Sequence, residues 1–151
     1  MSNLEAKFAG LGAENAPGQE VRQNADDLKA VMRGDVIPGR AVDFSHGTPR
    51  LAGTHSQSIP ENLREQILKL SLPGCLKDND PIQLYCETDN QLGELFASDA
   101  LALMSSLNIQ ADQILAIGSH GQTIRHSPPQ LGRLAFSQQI GDPTIIAART
   151  N

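Results

Sequence analysis

The chain has 151 residues, with 12 Lys and Arg against 17 Asp and Glu, so it is sized for one ordinary domain and carries no basic footprint for nucleic acid. With no Trp, one Tyr and four Phe, its core must be built from Leu, Ile, Val and Ala. The net charge of −5, the absence of a signal-peptide pattern at the start and the lack of any run near the roughly 18 apolar residues of a membrane span point to a cytoplasmic protein with no membrane partner.

Residues 1–40 read as a divergent helical segment, rich in Gly and poor in large apolar groups. Ser2 and Glu5 have capping-box spacing before Leu4, Phe8 and Leu11, and Val21, Ala25, Leu28 and Met32 predict a second helix that Gly34 stops. From Ala41 the pattern changes. Ala41 to Phe44 alternates, Ser45 to Pro49 is turn-rich, and Leu51 to His55 can be extended, which predicts a β-hairpin. Pro60 opens a helix to about Leu70 with Leu63, Ile67 and Leu70 on one face, closed by Pro73-Gly74.

Asp80-Pro81 with Gln83 is the clearest helix start in the chain, a capping box followed by a stripe of Leu84, Thr88, Leu92, Leu95, Phe96, Leu103 and Leu107. Asn108 stops it, and Ile114 to Ile117 then reads as a buried strand. An extended piece from Leu134 to Ile140 ends at Gly141, after which Asp142-Pro143 starts a helix over 144–150. This order predicts an α/β fold, a mixed sheet with flanking helices.

The densest chemistry lies in GSHGQTIRHSPP, residues 118–129, at the carboxyl end of the 114–117 strand. In open α/β sheets ligands bind at such ends. His120, Gln122, Thr123, Arg125 and His126 offer donors and acceptors for a hydroxyl-rich ligand, while Gly118 and Gly121 let the backbone approach closely. A polar surface loop that needs Gly for its turns explains the same residues equally well. Gly141-Asp142-Pro143 is a second candidate, readable either as ligand-binding backbone or as a simple helix cap.

Other chemistries fit poorly. His120 and His126 are six residues apart with no Cys near, which matches no structural zinc spacing, so no metal site is expected. There is no G-x-S-x-G elbow, no C-x-x-C pair and neither common phosphate-loop motif. Cys75 and Cys86 are therefore expected as inert packing thiols, buried or half-buried.

The runs VDFSHGTPRLAGTHSQSIPENLREQIL (42–68), ETDNQLGELFASDALAL (87–103), GSHGQTIRHSPP (118–129) and QIGDPTIIAART (139–150) together resemble the bacterial anhydro-N-acetylmuramic acid kinases over about Ala41 to Thr150. The resemblance implies the sugar-kinase, Hsp70 and actin superfamily, with residues 41–151 forming part of an N-terminal domain. It also implies an ATP- and Mg²⁺-dependent reaction in cell-wall recycling, in which the 1,6-anhydro bond of the amino sugar is hydrolysed and O6 is phosphorylated. Carried over by position, His120, Gly121, Gln122 and Thr123 would line the sugar side of the cleft with Gly141 and Asp142 beside them. Arg125 is assigned by its charge to the sugar's lactyl carboxylate.

The chain also departs from that family. Where members carry a Met-Ser-Gly-Thr-Ser loop and Asp-Gly for the nucleotide phosphates, this sequence reads VMRGDVIPGR at 31–40. The family's catalytic aspartate lies in an Asp-Phe-Arg segment after an Ala-Arg-Thr-Gly stretch, and here the sequence runs to Ala148-Arg149-Thr150-Asn151. The expectation is therefore a catalytically incomplete piece of such a kinase, with no catalytic residue assigned and ATP binding doubtful. A noncatalytic sugar-binding or interaction domain is the alternative, and a homodimer or a completing second chain is left open.

Overall fold

The structure, a computed structural model, describes residues 4–8, 36–75 and 80–150. Six strands and three helices are present among them: β1 (Leu4–Phe8), β2 (Val36–Asp43), β3 (Arg50–Ser58), α1 (Glu61–Ser71), α2 (Pro81–Ser106), β4 (Ile114–Ser119), β5 (Gln122–Ser127), β6 (Phe136–Ile140) and α3 (Pro143–Thr150). A four-stranded sheet has the order β3-β2-β1-β4, and β5 pairs with β6 in a separate two-stranded sheet. Because β1 runs antiparallel to β2 but parallel to β4, the larger sheet is mixed. The α/β class expected from the element order is what the fold shows.

The hairpin of β2 and β3 forms where the alternation placed it, and it is longer, reaching back to Val36 and on to Ser58. Its turn is held by Asp43, whose carboxylate accepts the Ser45 amide at 2.8 Å, and by the Gly47 amide donating to the Phe44 carbonyl. Along β3 every second residue faces in, so Leu51, Gly53, His55 and Gln57 lie against the helices.

Leu63, Ile67 and Leu70 are buried on α1, and Leu92, Phe96 and Leu103 on α2, as the helical spacing requires. Asp80 caps α2 by accepting the amides of Ile82 and Gln83 at 2.9 and 3.1 Å. The reciprocal half of the expected capping box does not form, because the Gln83 side chain turns forward to donate to Glu87 one helical turn on. At the other end Asn108 takes φ 53°, its amide donates to Ser105 and that of Ile109 to Met104, so α2 ends in a Schellman motif.

Two expectations are corrected, and a third lies outside the described residues. Leu4 to Phe8 is a strand and not the first turns of a helix; pairing on both sides, with β2 and β4, outweighs a local capping pattern. The second N-terminal helix, expected near 20–33, lies outside the described residues. Cys75 and Cys86 are free thiols but exposed: Cys75 follows α1 in a loop, and Cys86 is two residues from each of the inward positions Leu84 and Thr88, on the opposite side of the helix. Among the described residues no helix is long and apolar enough to cross a membrane.

Candidate functional site

Residues 118–129, read from the sequence as one loop, are divided by the fold. Gly118 and Ser119 finish β4, His120 and Gly121 make a two-residue break, and Gln122 to Ser127 form β5. The strand was hidden because five of its six side chains are polar, leaving Ile124 as its only large apolar anchor. Its pairing has the decisive effect on the site. Gln122 lies opposite Ile140 and Thr123 opposite Gln139, so the His-Gly-Gln-Thr and Gln-Ile-Gly-Asp segments become neighbours across two strands.

The junction is tight. Gly121 has φ 70°, and a Cβ there would stand 2.6 Å from the Ile140 carbonyl oxygen. Gly141 has φ 115°, and a Cβ there would overlap the ring of Phe96. Only glycine tolerates both the left-handed backbone and the close approach at these two positions.

His120 is exposed but engaged at both ring nitrogens. Its Nδ1 lies 3.2 Å from the Gly121 carbonyl oxygen, and its Nε2 lies 2.9 Å from Nε2 of Gln139. A carbonyl can only accept, so the Gly121 contact places a proton on Nδ1. Nearby, the Gly121 amide donates to Ser119 Oγ at 3.3 Å. Gln138 is held from α2, its side-chain amide donating to the Tyr85 hydroxyl at 2.9 Å.

Asp142 caps α3: its carboxylate accepts both the amide and the hydroxyl of Thr144, at 2.8 and 2.7 Å. These hydrogen bonds, the hydroxyl's first, hold its pKa below the ordinary carboxylate value, so the group is ionised at neutral pH. The cap reading of Asp142 is thus realised, and the same residue stands at the edge of the candidate site. Asp89 of α2, which the sequence presented only as part of a longer run, accepts the Gly141 amide at 2.6 Å. No local spacing could have linked it to Gly141, which is 52 residues away.

The fold therefore sets His120, Gly121, Gln122 and Thr123 against Gln139 and Ile140, the residues that lead into Gly141 and Asp142. Arg125, opposite Gln138 beyond a register shift, is exposed farther along β5. Among the described residues no group of three or more His, Cys, Asp or Glu side chains is placed to hold a metal ion.

Residues 31–151 match a family model described as anhydro-N-acetylmuramic acid kinase. The chain is 40% identical over 116 residues to the anhydro-N-acetylmuramic acid kinase of Shewanella pealeana, and equally to that of Shewanella oneidensis. It is 43% identical over 117 residues to the enzyme of that name from Saccharophagus degradans. In each case 77% of this chain aligns with 30% of the relative, so the matched part spans about a third of the relatives' length.

Proposed function

The chain belongs to the anhydro-N-acetylmuramic acid kinase family, and on that premise we propose that its His120–Thr123 and Gly141–Asp142 segments bind the anhydro-amino-sugar substrate. The whole protein's reaction, on this reading, is the ATP-dependent opening of the 1,6-anhydro bond with phosphorylation of O6, in cell-wall recycling. The observation that carries the proposal is the β5–β6 pairing. It sets two motif segments, 18 residues apart when counted from Gln122 to Ile140, directly across from one another.

The groups there suit a polyhydroxylated ring. Gln122 and Thr123 offer both donors and acceptors, and His120 is engaged at both ring nitrogens beside them. Arg125 is the one cation named for the site, suited to a carboxylate substituent projecting from the sugar along β5.

The nucleotide half fits less well. Residues 36–40, within the stretch that replaces the family's phosphate loop, form the first half of β2 and contain Pro38. Val36 to Gly39 are extended and pair with β3, and Pro38 has no amide to give, so this stretch offers fewer donors to a phosphate than a glycine-rich loop would. The role proposed for the described residues is therefore recognition of the sugar, with no phosphoryl transfer expected of them.

Titration calorimetry with 1,6-anhydro-N-acetylmuramic acid tests the assignment. Binding heat is expected for the wild type and should fall by roughly tenfold in affinity in Gln122→Ala, the effect of losing a hydrogen-bonding side chain at a polar site. No heat with the wild type, or unchanged heat in the variant, refutes sugar binding by this segment. A parallel assay for sugar-dependent ADP release is expected to show none, and turnover would overturn the restriction to recognition.

A further inference from the structure

We propose that Asp89 is the positioning residue of this site, a carboxylate on α2 that fixes the Gly141–Asp142 turn from behind so that it is formed before any ligand arrives; the inference rests on the sugar-site reading above. Asp89 takes two consecutive amides of the turn. Its Oδ1 accepts the Gly141 N–H at 2.6 Å, and its own backbone carbonyl accepts the Asp142 N–H at 3.2 Å. One helical turn later, Gly93 lets the helix come close: a Cβ there would stand 2.9 Å from the Asp142 carbonyl oxygen. A further turn on, the Phe96 ring packs where Gly141 lacks a side chain.

Positions 89, 93 and 96 have the i, i+4, i+7 spacing of one helix face. A carboxylate, a missing side chain and an aromatic ring on that face therefore each meet the same turn. The charge of Asp89 has a specific use here. The Gly141 and Asp142 amides lie at the start of α3, where unclaimed donors would attract an anion. With those donors held by α2, what the turn can offer a ligand is the Asp142 carboxylate, beside the side chains of β5 and the His120 break.

Asp89→Asn keeps an acceptor oxygen and loses the charge, whereas Asp89→Ala loses both. In the wild-type chain the Gly141 amide proton is expected far downfield in the NMR spectrum. It should move upfield in Asp89→Asn and farther in Asp89→Ala. Hydrogen exchange at Gly141 and Asp142 should accelerate roughly tenfold or more in Asp89→Ala, while Leu92 within α2 keeps its protection. Affinity for 1,6-anhydro-N-acetylmuramic acid should fall in the order wild type, Asn, Ala.

A Gly141 resonance that is the same in wild type and Asp89→Asn overturns the proposal, and Asp89→Asn carries this reading if Asp89→Ala does not fold. Lost affinity with an unmoved Gly141 amide also overturns it, by making Asp89 a direct ligand contact. A wild type that shows the downfield Gly141 signal but takes up no sugar refutes the sugar reading, and leaves the anchoring of the turn by Asp89 established.

Discussion

Gly47 and Gly141 both have positive φ, at 79° and 115°, yet their surroundings separate them. A Cβ on Gly47 would meet nothing within 4 Å, whereas one on Gly141 would run into Phe96 in the core. Gly47→Ala should therefore cost only the left-handed backbone penalty, about 1 kcal/mol. Gly141→Ala adds the displacement of a buried ring and should cost about 3 kcal/mol or more. Urea unfolding of the two variants checks the ordering, and equal losses would show that the Phe96 contact yields without cost. The sequence marked Gly141 as a turn residue. It could not mark it as a packing contact, because Phe96 is 45 positions away and reaches it only once α2 lies against the end of β6.

At the scale of the element, α2 was the most legible part of the chain, and its cap shows why. Asp80, Pro81 and the periodic apolar stripe act within a few residues of one another, so they depend on little else. Asp80→Ala should cost about 1 kcal/mol by leaving the Ile82 and Gln83 amides without their acceptor, which chemical denaturation at about pH 7 would measure. β5 was the least legible. Its polar side chains carry no strand pattern, and only pairing with β6 gives its backbone a reason to extend. β1 shows the same dependence: a local capping signal pointed to a helix, and the partners β2 and β4 made a strand instead.

Across the whole molecule, the sheet and the helix layer are joined at a buried polar contact, His55 of β3 with Asp99 of α2, at 2.5 Å. Asp99 is fully buried, and its second carboxylate oxygen has no hydrogen-bond partner among the described residues. Burial raises its pKa above the ordinary value of 3.8, although His55 pulls the other way. A carboxyl whose pKa is higher in the folded state binds its proton more tightly there. Its stabilising contribution is present below 3.8 and is lost as pH rises through the folded value. Asp99→Asn is neutral at every pH and keeps an oxygen for His55. The variant should match the wild type at low pH and exceed it in stability above the raised pKa. Thermal unfolding from about pH 3 to about pH 8 would show the two curves parting; curves that stay together would mean that His55 fully offsets the burial.

By itself the sequence determined the family, the α/β class, the hairpin, the extents of α1 and α2 and the two motif segments that carry the candidate chemistry. These follow from local rules: periodicity, caps, turn residues and short motifs. Only the tertiary structure decided that His120–Thr123 meets Gln139 and Ile140 just before the Gly141–Asp142 turn, that Asp89 holds the turn from behind, that both cysteines are exposed and that Leu4–Phe8 lies inside a sheet. Each of these depends on partners distant in the chain, and hydrogen bonding between strands and packing against α2 are energies that no short window of residues contains.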